Sequence, residues 1–223
     1  MNVLLYGATG MIGRGVLREC LLASDVQRIV AVVRKPTGHK APKLREVVQP
    51  DAADFTALAD KLASTDVCLF CLGVSAVGMN EATYASVTYD LTMAVATTLA
   101  KANPNATFIY ISGAGTDSTE RGRLMWARVK GRTENALLRL PFRAAYMFRP
   151  GAIIPLHGIR SSTSWYNALY AVLRPIFPIL QRVAPNSVTT TEELGRAMLA
   201  VARNGYPTRV LEMSDIRRAG RTG

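Results

Sequence analysis

Cysteine, histidine and acidic residues are scarce in this 223-residue sequence, and each scarcity excludes something. Three cysteines, Cys20, Cys68 and Cys71, cannot all pair within one chain, which rules out a disulfide scaffold. No secretory signal precedes the first apolar run, so the expected setting is the reducing cytoplasm. The two histidines, His39 and His157, have no carboxylate at metal or triad spacing, and structural roles are expected for both, with His157 close enough to a strand end to line a cleft. A long apolar run is missing too. The stretch SWYNALYAVLRPIFPILQRV, residues 164–183, is broken by Arg174, Pro175 and Pro178, short of the ~20 uninterrupted apolar residues that a spanning helix needs.

Acidic residues number 16 against 27 lysines and arginines, leaving a net charge of +11 and a pI near 10.0. Such a chain favours anionic partners: phosphorylated cofactors, acidic substrates, nucleic acid or an anionic membrane surface. The charge comes with no aromatic-basic platform and no groove-reading helix motif, so nucleic acid is not the expected partner. What is present is the mix of a globular protein, with 49% apolar and 19% charged residues and neither repeats nor low-complexity segments. Cys68 and Cys71 form a CxxC inside DVCLFCLGV, which reads as a buried strand rather than the exposed helix start a redox pair needs.

Apolar runs of strand length alternate with helical patterns up to about residue 150. The pattern predicts strands over Val3–Tyr6, Ile29–Arg34, Leu44–Val47, Val67–Leu72, Thr107–Ser112 and Ala144–Arg149. Helices are predicted over Ile12–Ala23, Phe55–Leu62, Glu81–Ala102 and Arg123–Leu140. This rhythm implies an α/β fold with a doubly wound parallel sheet. Residues 1–150 would form the dinucleotide-binding domain, and residues 151–223 a small C-terminal substrate or interaction region packed on it. In that second part, TTTEELGRAMLAVARNG has a threonine before two glutamates and a closing Asn-Gly, the marks of a well-capped helix, and TRVLEMS reads as a last short strand.

NVLLYGATGMIGRGVL carries a glycine fingerprint in the one setting that gives it meaning, after a strand and at the opening of a helix. Gly7 permits the tight turn, Gly10 lets backbone approach a pyrophosphate, and Gly13 lets the helix pack on the strand. The helix N-terminus then faces the phosphates. The second strand ends in Arg34 and Lys35 where an NAD-binding chain would carry an acid. A guanidinium pairs with a 2′-phosphate and stacks on adenine, so the expected cofactor is NADP. The expected cofactor-binding positions are Gly7, Thr9, Gly10, Met11, Ile12, Gly13, Arg34, Lys35, Asp51 for the adenine amino group, Leu72, Gly73, Lys130 and Pro150.

With GATGMIG, the strand-end arginine, CLGVSA, YISGAG, WARVKGRTENAL and FRPGAI in this order, the chain resembles an atypical or extended short-chain dehydrogenase/reductase. It is most similar to the Tat-interacting-protein-like, epimerase-like branch. The resemblance implies a catalytic serine at Ser112, a tyrosine that exchanges a proton with the substrate oxygen, and a lysine at Lys130 that tunes the tyrosine and holds the nicotinamide ribose. The position matching the tyrosine is Trp126. An indole offers one N–H donor and no usable acidity, so Trp126 cannot replace a phenol as general acid. It is a cleft wall or a core aromatic, and Lys130 is a ribose ligand or a helix-surface lysine paired with Glu134. Tyr84 and Tyr89 are expected to pack rather than substitute as acids.

Two functions follow. One is NADP-dependent reduction of an apolar carbonyl, with residues 153–183 as the substrate wall. The other is a catalytically inactive NADP-sensing regulator or scaffold, with residues 164–183 as a contact patch or homo-oligomer face.

Overall fold

Residues 1–159 and 187–221 are described by the computed structural model. The first half runs β1 (Asn2–Tyr6), α1 (Met11–Leu22), β2 (Arg28–Val33), β3 (Leu44–Val48), α2 (Ala59–Leu62) and β4 (Val67–Phe70). Then follow α3 (Glu81–Ala85), a π turn at Ser86–Asp90, α4 (Leu91–Ala102), β5 (Thr107–Ile111), α5 (Met125–Leu138) and β6 (Ala144–Phe148). Beyond these are β7 (Ala152–Ile154), β8 (Val188–Thr190), α6 (Thr191–Asn204), β9 (Val210–Leu211) and α7 (Met213–Arg221).

Seven strands form one parallel sheet in the order β3-β2-β1-β4-β5-β6-β9, and β7 and β8 pair in a small second sheet. The chain is thus a doubly wound α/β protein. The order reverses between β1 and β4, which opens a crevice beyond their C-terminal ends.

Both faces of the sheet are buried, and period-two alternation divides each strand between two cores. Leu5, Ala31, Leu69 and Ile109 point to α1, α6 and α7; Leu4, Val30, Phe70 and Phe108 point to α2, α4 and α5. Each fully buried leucine or phenylalanine contributes roughly 1.5–3 kcal/mol. On the second face Tyr6, Phe70, Phe108 and Phe142 stack in a row with ring centroids 5.4, 5.8 and 5.4 Å apart. Cys20, Cys68 and Cys71 are buried, free thiols. Burial pushes the Cys20 thiol up to about 12, the opposite of the lowered value a reactive thiol shows.

The strands occur where the alternation places them, but four of the six end early. Arg34, Cys71, Leu72, Ser112 and Arg149 lie beyond the strands to which they were assigned, because the chain leaves the ladder there to form the crevice. The predicted Glu81–Ala102 helix contains the π turn, and the predicted Phe55–Leu62 helix opens as a 3₁₀ turn at Thr56–Leu58. The Arg123–Leu140 helix starts only at Met125, since the Asp117 carboxylate accepts from the N–H groups of Thr119 and Gly122 and holds the preceding loop in place. The capping signal of the C-terminal helix reads correctly: Thr190 Oγ1 accepts from the Glu193 N–H at 3.0 Å, and the helix stops at Gly205 with φ +71°.

Helix α6 returns to the N-terminal helix and crosses it through reciprocal glycines. A Cβ at Gly15 would lie 2.6 Å from Thr191 Cβ, and one at Gly195 would lie 2.7 Å from Glu19 Cγ. Gly15→Ala therefore forces the two helices apart and is expected to destabilise the fold by about 1–3 kcal/mol, the usual penalty of overpacking. Gly113→Ala, where a new Cβ meets nothing within 4 Å, is the control. Chemical denaturation of both variants checks this, and equal midpoints would show that the crossing tolerates the methyl group.

Candidate functional site

The turn from β1 into α1 is built without room for side chains. Gly7 has φ +82°, and a Cβ on it would sit 2.6 Å from the Cys71 carbonyl carbon and the Leu72 nitrogen of the β4 exit. A Cβ on Gly13 would stand 2.0 Å from Gly7 O. The Gly10 N–H closes the turn onto Gly7 O at 2.9 Å, and Gly10 enters the helix in an extended conformation. No side chain caps this N-terminus, and its first turn carries no acid. The first-turn N–H groups, those of Met11, Ile12 and Gly13, and the positive end of the dipole are thus available to an anion.

A cavity of about 450 Å³ lies over this turn. Of the residues expected to bind a cofactor, it brings together Gly7, Thr9, Gly10, Arg34, Asp51, Leu72 and Gly73. Arg34 is exposed at the cavity edge and makes no ion pair among the described residues. The nearest acid on the neighbouring strand, Glu46, is diverted: its Oε1 accepts from the N–H and the hydroxyl of Thr37. Lys35 is exposed and lies outside the cavity lining, as do the side chains of Met11 and Ile12, which pack partly buried against the core. Asp51 is exposed, and its Oδ1 accepts from the Ala53 N–H at 2.8 Å. A second depression of about 520 Å³ beside β3, lined by His39, Lys40, Arg45 and Glu46 among others, is wide open to solvent and holds none of the expected residues.

The second group gathers at the β5 exit, outside that cavity lining. Ser112 is buried, with its N–H on Phe148 O at 2.8 Å and its Oγ 2.7 Å from Thr116 Oγ1. Lys130, from α5, donates Nζ to Ser112 O at 2.7 Å and to Ile111 O at 3.5 Å, with the ammonium 5.7 Å from the Tyr110 ring centroid. Burial lowers this ammonium to about 8, and Glu134 acts against the shift. Trp126, half-buried one turn earlier on α5, lays its indole over the loop at Gly115, where a Cβ would be 3.5 Å from Cη2. Pro150 is buried, and its carbonyl accepts from the Ala114 N–H at 2.9 Å, which ties that loop to the β6 exit.

Several partners differ from those the sequence suggested. Glu134 is not the partner of Lys130. It is buried and held by Arg149, whose Nε and Nη2 reach its two carboxylate oxygens at 3.0 and 2.5 Å. His157 does meet a carboxylate, Glu192 Oε2 at 2.7 Å, from 35 residues away. This corrects the expectation of no companion acid, which considered only local spacing. Tyr84 is buried, and the Tyr89 ring carries the Arg132 guanidinium 4.0 Å from its centroid. Gln49, Val87 and Thr116 belong to these sites and were not anticipated, since a lone amide, valine or threonine carries no motif. Of residues 153–183, only those up to 159 fall within the described part, and the 164–183 stretch lies outside it. Among the described residues no helix is long and apolar enough to cross a membrane, and no three potential metal ligands cluster.

Comparison with known proteins agrees with the nucleotide-binding geometry. A family model described as NAD(P)H-binding matches residues 7–138. The chain is 28% identical over 231 residues to the protein fmp52-2, mitochondrial, of Aspergillus terreus, covering 97% of this chain and 96% of that one. It is also 28% identical over 166 residues to FMP52, mitochondrial, of Saccharomyces cerevisiae, with 73% and 69% covered. These names overturn the cytoplasmic expectation. It rested on free cysteines and on finding no secretory signal, and neither separates one reducing compartment from another.

Among solved structures, the chain resembles a thiolation-reductase di-domain from an archaeal non-ribosomal peptide synthetase, with TM-score 0.70, 16% identity, and 95% of this chain and 70% of that chain covered. UDP-glucuronic acid 4-epimerase from Bacillus cereus, in complex with UDP-glucuronic acid and NAD, gives 0.68 at 12% identity, covering 96% and 77%. A short-chain dehydrogenase/reductase family oxidoreductase from Burkholderia thailandensis gives 0.64 at 19%, covering 91% and 85%. With its glycine turn, its uncapped first helix and a match spanning residues 7–138, the chain belongs to the NAD(P)H-binding family.

Proposed function

We propose that this chain binds NADP(H) in the cavity over the β1–α1 turn and is an oxidoreductase-type protein that works without a tyrosine acid. One observation carries the reading: a single cavity joins an uncapped helix N-terminus to a strand-end arginine that has no ion-pair partner among the described residues. The turn leaves space for a pyrophosphate and nothing larger than hydrogen on Gly7 or Gly13. Arg34 would take the 2′-phosphate, as Glu46 is turned away to Thr37.

The nicotinamide supplies hydride chemistry when bound. At the β5 exit, Ser112 would orient a substrate oxygen, its own hydroxyl being positioned by Thr116. Lys130, with its ammonium lowered to about 8, would carry positive charge near neutral pH and help hold the ribose. Trp126 would supply an apolar wall and no proton. Exposed Val77 and Leu124, on the loops that leave β4 and β5, suit an apolar carbonyl substrate. The named relatives support a mitochondrial location.

A second reading, an NADP-sensing regulator without turnover, draws on one specific observation. Lys130 is anchored on two backbone carbonyls beside a tryptophan, so the usual acid is missing and its tuning lysine is already engaged.

Titration with NADPH and NADH at fixed moderate salt, followed by calorimetry, tests the cofactor. NADPH is expected to bind more tightly, with Arg34→Ala weakening NADPH by about tenfold or more, as for a lost charge-assisted pair of 1.5–3 kcal/mol, and leaving NADH little changed. Equal affinities for the two nucleotides would refute the phosphate role. Steady-state assays with aldehydes and ketones separate the two readings. Robust NADPH oxidation by the natural chain eliminates the regulator, whereas turnover seen only after Trp126→Tyr favours it.

The Lys130 ammonium provides a further check. Its pKa falls from 10.5 in the free side chain to about 8 in the fold. Between those values the unfolded chain holds a proton that the native chain has lost, so this group makes stability rise with pH across that window. Carbon-13 NMR of the lysine side chains should show one resonance titrating near 8 that disappears in Lys130→Met. Titration above 10 would mean that the ammonium is not desolvated.

A further inference from the structure

We propose that a small dianion of the phosphate class binds at the end of the sheet opposite the nucleotide crevice, held by the guanidiniums of Arg143 and Arg209. The site is a depression of about 260 Å³ where β5, β6 and β9 begin and α6 ends. The nucleotide cavity lies over the exits of β1, β2 and β4 and shares no lining residue with it.

Three arginines line the depression, Arg143, Arg203 and Arg209, and no aspartate or glutamate does. Arg203 is compensated from outside. Its Nε and Nη2 reach the two Asp25 carboxylate oxygens at 2.9 and 2.6 Å, and these bonds hold the Asp25 carboxyl below the usual carboxylate range. Arg203 also stands in the last turn of α6, where a cation meets the negative end of the helix. Arg143 and Arg209 have no ion-pair partner among the described residues. Two uncompensated like charges in one depression repel each other, and an anion carrying two charges replaces that repulsion with attraction. Both side chains are nonetheless held in place. Arg143 Nη2 donates to the Thr107 hydroxyl at 2.9 Å, on the buried first residue of β5. The Arg209 guanidinium lies over the Tyr146 ring, 4.9 Å from its centroid. That ring is buried on β6, and its hydroxyl accepts from the Tyr206 N–H at 3.1 Å, so the platform is itself fixed. A guanidinium stacked through its face, or tethered through one nitrogen, keeps its other N–H groups for an oxyanion and is already ordered when one arrives.

Size narrows the ligand. The depression is smaller than the ~300–1,000 Å³ of sites that enclose a drug-sized molecule, and Arg143, Arg209 and Asn204 are exposed at it. It suits inorganic phosphate, or a phosphate monoester whose organic part points to solvent, rather than a whole dinucleotide.

The probe is inorganic phosphate, titrated at mildly alkaline pH against chloride at matched ionic strength and followed by nitrogen-15 NMR of backbone and arginine Nε–H groups. The natural chain is expected to show saturable shifts at Arg143 Nε, Arg209 Nε and the Gly205 N–H with phosphate and not with chloride. Arg143→Gln and Arg209→Gln should each weaken the affinity read at Gly205 by about tenfold, the scale of one lost charge-assisted contact. Arg34→Ala, at the other end of the sheet, should leave that affinity unchanged. Shifts confined to the N–H groups of Met11, Ile12 and Gly13 would assign phosphate to the glycine turn alone and refute the site. Non-saturating shifts that chloride reproduces would mean ionic screening and refute it as well. Saturation at Gly205 that survives both glutamine substitutions would overturn the assignment to these arginines. Melting temperatures are recorded for each variant, and the phosphate–chloride comparison on the natural chain decides the matter even if a variant fails to fold.

Discussion

No side chain fits where the first strand turns into the first helix, and the rest of the molecule depends on that exclusion. Gly13 rides on the Gly7 carbonyl, Gly7 abuts the β4 exit, and the helix thereby starts close to the sheet with its N–H groups facing the crevice. The contact fixes the spacing of β1, α1 and β4 at once, and those elements define the topological switch point. A larger turn would still permit a parallel sheet, but the helix end would stand too far out to meet a phosphate. Geometry that looks like a folding detail is in this way the first part of the binding site.

How much of this could be read from residues alone depends on the range of the interaction. The glycine turn, the strand-end arginine and the Thr190 cap are local, each declared within a few residues, and they lie where the sequence placed them. Four strand ends were misjudged by one or two residues because no turn residue such as glycine or proline stands at Arg34, Leu72 or Ser112 to mark where the ladder stops. Long-range pairs were invisible. Glu134 looked available to Lys130 four residues away, yet it belongs to Arg149 on the next strand exit, and His157 found Glu192 across 35 residues. Gln49 shows the same limit from another side, since nothing local announces that its amide donates to the carbonyls of Asp51 and Asp54.

The buried charges are divided between two arrangements. Arg149 and Glu134 form a two-point pair, with Glu212 and Ser118 taking up further guanidinium donors, so the charges compensate one another and the β6 exit is pinned to α5. Lys130, only one turn away on the same helix, receives carbonyl oxygens in place of a carboxylate. The first arrangement is fully compensated. The second keeps an ammonium that desolvation makes easier to deprotonate, held on the Ser112 backbone carbonyl at the β5 exit.

The crossing of α1 and α6 also bears on the order in which the protein can assemble. The helix that presents its N–H groups to the crevice is synthesised well before the helix that backs it, with Thr191 against Gly15 and Glu19 against Gly195. In the interval the flank of the early helix that carries Gly15 and Glu19 lacks its cover. Vectorial synthesis can therefore produce the turn long before it can seat it, and the site stays unfinished until the later helix arrives. Completion of the N-terminal half is a non-local event, set by the arrival of the C-terminal segment.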